Sequence, residues 1–231
     1  MHRVIPTGCS SLDEQLGGGL IGREISLLYG EPGTGKTSLS IQCAVNCARM
    51  GYKAFFIDCD NGFLSRRMEQ VAPEDCEDIA SRIILMRPED FEQQATVIDK
   101  LNDYISDETG LVIIDTVTSL YRERLGAGIK ETFALNRELN RQMGRLAQTI
   151  KTRETAGLVV SQVRSVILGE QGAVQPVATR VLHFWSDTIV FLEPTSQGKL
   201  VKAIVKKRRE RKRIRPILLE IEERGLCDHE G

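Results

Sequence analysis

The sequence predicts an α/β fold, with a mostly parallel, twisted sheet flanked by helices and an antiparallel hairpin near its C-terminal end. Three observations carry this. The apolar run Ile25–Tyr29 leads through a glycine-rich turn into Leu39, Cys43, Cys47 and Met50, which recur at helical spacing with no Gly or Pro between them. Further short apolar runs, Lys53–Asp58, Ile83–Met86, Leu111–Asp115 and Gly157–Ser161, alternate with stretches of helical period. The last strand candidates, Asp187–Leu192, Lys199–Val205 and Pro216–Ile221, follow one another too closely for helices to intervene, with Ser196-Gln197-Gly198 turning between the first two.

The 231 residues suit one domain with a full core, and 41% hydrophobic with 27% charged residues is a globular composition. No apolar run reaches the length of a membrane span and no signal-peptide pattern opens the chain, which predicts a cytoplasmic protein. Six cysteines without a CxxC pair do not suggest a disulfide framework. Cys43 and Cys47 share a helix face, as a metal pair or, as suits a reduced cytosolic protein better, as small core residues. The net charge of −1 conceals a strong local excess. From Lys202 to Arg215 nine Lys or Arg stand against Glu210 alone, a band of +8 on an otherwise acidic chain. Such a band fits a polyanionic partner, although charge runs are commonly just solvated.

The turn between the first strand and its helix reads Gly30-Glu31-Pro32-Gly33-Thr34-Gly35-Lys36-Thr37, followed by Ser38, and fits the phosphate-binding pattern GxxxxGK[ST]. Gly30, Gly33 and Gly35 are expected to take positive φ and to let backbone approach a phosphate. The N–H groups of the loop and of the first helical turn would face the anion, with Lys36 on the terminal phosphates and the Thr37 hydroxyl on Mg²⁺. Leu111–Ile114 ends in Asp115, and a carboxylate at that strand end is expected to hold Mg²⁺ through water. The expected ligands are therefore ATP and Mg²⁺. Asp60, in the turn leaving Lys53–Asp58, sits at the sheet edge where ligands bind, either to orient an attacking water or to cap the turn.

Elsewhere the sequence mainly builds scaffold. Asp90 is placed to cap a helix whose apolar residues run Phe91, Ala95, Ile98, Leu101, Ile105. A long helix over Glu131–Glu154 buries Leu135, Leu139, Met143, Leu146 and Ile150, while Arg137, Arg141 and Arg145 line another face.

PTGCSSLDEQLGGGLIGREISLLYGEPGTGKT, FIDCDNGF, LVIIDTVTSLYR and SQVRS together resemble the ATPase core of the RecA-like recombinases, and among these the short archaeal RadB paralogues of RadA. The likeness covers essentially the whole chain as one RecA-like core (1–231), with a turn-rich lead-in at 1–22 and the basic hairpin at 199–222. It leaves no room for an N-terminal helix-hairpin-helix domain or the F-x-x-A tether of filament-forming relatives. The resemblance implies further roles. Asp60 takes the post of a catalytic glutamate, one methylene short, and Arg67 lies near the adenine. Gln162 senses the γ-phosphate, with Ser161 where asparagine is usual. Arg122 and Arg124, in a flexible stretch where Tyr121 could stack on a base, belong to a first DNA-facing loop. Arg164 belongs to a second loop, Val163–Pro176, whose only other charge is Glu170.

On this reading Lys206, Lys207, Arg208, Arg209, Arg211, Lys212 and Arg213 grip single-stranded or branched DNA. The family adds a RadA-type recombinase and a Holliday-junction resolvase as partners, a homo-oligomer as a further possibility, weak ATP turnover and little strand exchange. Two rivals stand beside it: a KaiC-like signalling ATPase and a nucleotide-gated adaptor, neither acting on DNA.

Overall fold

The computed structural model describes residues 3–63, 65–125, 129–166, 173–176, 178–208 and 215–229. In chain order the elements are β1 (Val4–Ile5), α1 (Ser10–Leu16), β2 (Leu20–Ile21), β3 (Ile25–Gly30), α2 (Lys36–Arg49), β4 (Lys53–Asp58), α3 (Ser65–Val71), α4 (Cys76–Ala80), β5 (Ile83–Met86), α5 (Phe91–Tyr104) and β6 (Thr109–Asp115). Then come α6 (Ser119–Glu123), α7 (Ile129–Arg153), β7 (Ala156–Val166), β8 (Ala173–Pro176), α8 (Thr179–Trp185), β9 (Thr188–Pro194), β10 (Leu200–Lys207), β11 (Ile217–Glu222) and β12 (Gly225–Asp228).

Among the described residues the main sheet has ten strands, in the order β12-β11-β10-β9-β3-β7-β6-β4-β5, with β8 paired to β7. Strands β5, β4, β6, β7, β3 and β9 run parallel; β10, β11 and β12 continue from β9 antiparallel. This is the α/β sheet with an antiparallel C-terminal hairpin that the sequence predicts.

Alternation along the buried strands sorts side chains onto two faces. Leu28, Phe56, Ile113, Leu158 and Val160 face α2, whereas Leu27, Tyr29, Phe55, Ile57, Val112, Ile114 and Val159 face α5 and α7. Both faces are covered, so these strands read as continuous apolar runs. Cys43 and Cys47 lie buried in the α2 layer, and the described residues hold no metal-ligating cluster. Asp90 caps α5 by accepting from the Gln93 N–H at 2.7 Å. Among the described residues no helix is long and apolar enough to cross a membrane.

Several boundaries move. The lead-in carries α1 and the β1–β2 pair rather than turns alone, because Leu12 and Leu16 bury at helical spacing and Asp228 accepts from the Ser10 and Ser11 N–H groups. The stretch after Thr118 starts as α6, and Tyr121 is buried. Its ring meets Phe91 edge-on with centroids 5.9 Å apart, within the range of about 4.5–7 Å usual for such pairs, so it is not free to stack on a base. Residues 163–166 and 173–176 of the second loop are paired strand rather than open loop. A further strand, β12, follows the last strand that the sequence predicts and pairs antiparallel with β11.

Candidate nucleotide-binding edge

Register brings the candidate residues together. Gly30 pairs with Gln162 across β3 and β7, and Asp58 with Asp115 across β4 and β6. Four parallel strands thus deliver a glycine loop, an amide and two carboxylates to one C-terminal edge, where open α/β sheets bind ligands.

The loop itself is shaped from within. Gly33 and Gly35 have φ of 79° and 83°, the second of them at the N-cap of α2. Gly30 does not share that conformation; a Cβ there would run into the Leu192 carbonyl, so close approach explains it instead of positive φ. The Glu31 carbonyl accepts from the Thr34 hydroxyl at 2.8 Å and the Lys36 ammonium at 2.7 Å. Pro32 and Gly33 are exposed at the tip, Lys36 is buried, and Thr37 and Ser38 lie half-buried in the first turn of α2. That turn's amides lack partners within the helix and point out of its positive end.

The charges beneath the loop are strongly coupled. Burial lowers the Lys36 pKa, and the Asp115, Asp60 and Glu31 charges pull it back up. Asp115 is 2% exposed, and neither of its carboxylate oxygens has a hydrogen-bond partner among the described residues. Burial pushes its pKa up to about 7; the Thr37 hydroxyl lies near enough to temper the rise without meeting hydrogen-bond geometry, and Asp60 and Asp58 add to it. A buried, unpartnered carboxylate beside a buried lysine is costly by itself, and a cation bridging to an anion would relieve it. The donor set is hard oxygen from Asp115 and Thr37 with an ammonium and helix amides alongside, which suits Mg²⁺ on a phosphate.

Asp60 Oδ2 accepts from the Thr116 hydroxyl at 2.8 Å and from Gln162 Nε2 at 3.3 Å, so the two residues singled out from β4 and β7 do meet. Sequence reasoning missed three supports. Asp58 accepts from the Gly62 and Phe63 N–H groups at 2.8 and 3.1 Å and from Arg87, fixing the turn that carries Asp60. Thr116 fixes the carboxylate itself. Arg122 donates to Gln162 Oε1. An aspartate four residues before a glycine in a tight turn was the available signal for Asp58.

The remaining candidates have partners inside the chain. Arg67 donates to Ser38 Oγ at 3.1 Å, to Gln70 and to the Glu222 and Glu223 carbonyls, clamping α3 to the β11–β12 turn. Arg124 pairs with Glu92. Lys207 donates to the His183 carbonyl at 3.1 Å and to that of Ser186, and Arg208 to the Gln15 carbonyl. Lys206 is exposed, its ammonium 5.5 Å from the Phe191 ring centroid. Arg209, Arg211, Lys212 and Arg213 lie outside the described residues, as does the side chain of Arg164.

A glycine-loop-bearing parallel sheet with an acidic edge and an antiparallel extension defines the RecA-like P-loop class. The Rad51 family model matches residues 2–222, and the chain belongs to that family. It is 34% identical to the DNA repair and recombination protein RadB of Methanothermobacter thermautotrophicus over 91% of this chain and 89% of that one. With the RadB of Methanococcus maripaludis strain C7 it shares 30% identity over 93% and 96% of the two chains. A crystal structure of the RadB recombinase superposes with a TM-score of 0.82 at 28% identity, covering 98% of this chain and all of that one.

Proposed function

We propose that this chain is an ATP- and DNA-binding accessory protein of DNA repair and homologous recombination, with weak ATPase activity and little strand exchange. The observation that carries it is the pair of buried, unpartnered Asp115 oxygens directly beneath the Lys36–Thr37 turn. In this reading Gly30 through Ser38 enclose the phosphates, and Thr37 and Asp115 hold Mg²⁺. The metal, when bound, neutralises phosphate charge. Lys36 leaves the Glu31 carbonyl to reach the phosphate oxygens, and Gln162 and Thr116 hold Asp60 toward the site of the attacking water.

Slow turnover follows from Asp60. Its arm is one methylene short of glutamate, a displacement of about 1 Å, and misplacement of that size can cost about a hundredfold in rate. Asp60→Glu should therefore raise single-turnover hydrolysis by about ten- to a hundredfold. Rapid turnover by the unaltered chain, or no gain in the variant, would remove the weak-ATPase part.

Family membership and the cationic hairpin support the DNA part, and with it partners of the RadA and resolvase kinds. Retention on a DNA column at rising salt tests it. Elution at low salt, unchanged when Lys206 and the neighbouring cations are neutralised, would favour a signalling ATPase instead.

A further inference from the structure

Helix α6, Ser119–Glu123, is little more than one turn beside the nucleotide edge, and two of its side chains reach Asp60 through an intermediary. The Ser119 and Thr116 hydroxyls lie 2.9 Å apart, and Thr116 donates to Asp60 Oδ2 at 2.8 Å. Arg122 stands three residues further on, on the same side of the helix. It donates to Gln162 Oε1, and Gln162 Nε2 donates to that same Asp60 Oδ2 at 3.3 Å. Among the described residues both routes end on one oxygen, leaving Asp60 Oδ1 for a water.

The two chain segments that leave β6 and β7 are joined residue by residue. The Val117 N–H donates to the Val160 carbonyl at 3.0 Å, the Thr118 and Ser161 hydroxyls lie 3.2 Å apart, and Arg122 takes Gln162. Val160, Ser161 and Gln162 are consecutive, so each is met in turn. The first two contacts are buried, whereas Arg122 is exposed. Helix α6 is also anchored from its other side: Leu120 and Tyr121 are buried, and Tyr121 donates to Asn136 Oδ1 on α7 at 3.2 Å. Arg122 therefore reaches Gln162 from a fixed turn.

What that contact controls is the direction of an amide. A glutamine carries a donor and an acceptor on nearly the same shape, and its neighbours decide which end points where. Register sets Gln162 opposite Gly30, the first residue of the phosphate loop, with Asp60 beside it. A guanidinium offers donors alone and keeps its charge throughout the working pH range. Facing Arg122, the amide presents Oε1 to the cation and Nε2 to the Asp60 side, where a carboxylate and phosphate oxygens both call for a donor. The reversed amide would set N–H₂ against the guanidinium and oxygen against the carboxylate, two repulsions in place of two hydrogen bonds.

We infer that Arg122 is a positioning residue of the nucleotide site: it fixes the Gln162 amide so that a donor, not an acceptor, is presented to Asp60 and to the terminal phosphate. This rests on the ATP-binding reading above. It requires no nucleic acid, unlike the DNA contact that the family resemblance implies for the same arginine.

The test is single-turnover hydrolysis of Mg²⁺-ATP without nucleic acid, together with calorimetric affinities for ATP and ADP. Arg122→Ala should slow hydrolysis about tenfold, the scale of one hydrogen bond to a charged group. It should lower the ratio of ATP to ADP affinity about fivefold, with ADP affinity itself within about twofold. Arg122→Lys, which keeps a cationic donor, should recover most of both losses. In a Gln162→Ala background Arg122→Ala should do nothing further, since its route runs through the amide. Arg122 is exposed, so thermal melting should show the variants folded as the unaltered chain is. A rate and a ratio both within about twofold of the unaltered chain overturn the assignment, as does an equal loss in the Gln162→Ala background. So does a variant that loses affinity for nucleic acid alone. Equal falls in ATP and ADP affinity with a lowered melting temperature would make Arg122 a support of the fold instead. If the unaltered chain binds ATP without turnover, the weak-ATPase reading falls and the affinity ratio decides for Arg122; if it binds no nucleotide, both readings fall.

Discussion

The two ends of the sheet use polar groups in opposite ways. On the parallel side, β3, β4, β6 and β7 bring Lys36, Asp60 and Asp115 to one edge and leave Asp115 without a hydrogen-bond partner among the described residues. On the antiparallel side, polar groups are closed onto backbone: Gln42 both donates to and accepts from Leu226, at 3.0 and 2.9 Å, and Lys207 caps the end of α8. The first region stores an unmet electrostatic demand, and the second spends its donors on holding chain segments together. Binding chemistry belongs where demand is unmet.

Removing the charge at the centre of that edge should have the largest effect. Lys36→Ala should weaken ATP binding by about a hundredfold or more in calorimetric titration, with little change in melting, since the lysine's own hydrogen bond is only to the Glu31 carbonyl. Unaltered affinity would break the contrast at its strongest point.

Asp115 gives the next test, through pH. Its carboxyl is held at about 7 rather than 3.8, so the folded state favours the protonated form. Stability from this group is greatest below the unfolded value and falls as pH rises through 7, by up to about 4 kcal/mol. Asp115→Asn should therefore match the unaltered chain near pH 4 and be more stable by about 2–4 kcal/mol at pH 8 in denaturant unfolding. The same change should remove the Mg²⁺ dependence of nucleotide binding. A variant less stable at pH 8 would mean that the carboxylate is satisfied in the free protein.

On the antiparallel side the signs reverse. Gln42→Ala leaves a buried Leu226 N–H without its acceptor and should cost about 2 kcal/mol at every pH, read by the same unfolding experiment. Lys207→Ala should cost only about 0.5 kcal/mol, the usual scale for a cation at a helix C-terminus, while reducing the salt slope of DNA binding.

The same division explains what could be read from sequence. The phosphate loop, β4, β5 and Asp115 were legible because short-range pattern and chemistry coincide there: glycines, an apolar run and a terminal carboxylate lie within a few residues. Lys36, Asp60, Asp115 and Gln162 converge through parallel register, which the fold class implies once the strands are found. The supports were less legible because they join distant parts of the chain. Thr116 on Asp60, Arg122 on Gln162 and Leu226 on Gln42 have no local spacing to announce them. Tyr121 misled because composition suggested a loop, whereas Phe91, thirty residues earlier, provides the pocket that buries it.

Strand β12 also bears on the order in which the molecule can be completed. Its Leu226 closes against Gly35, its backbone occupies Gln42, and Asp228 binds the start of α1, so three pieces of the first fifty residues wait for a segment made after residue 224. During translation the wall beside the phosphate loop is therefore finished only once that strand has left the ribosome, long after the glycine loop itself. A nascent chain stalled short of that strand would carry every residue of the glycine loop and still lack the neighbour that braces it.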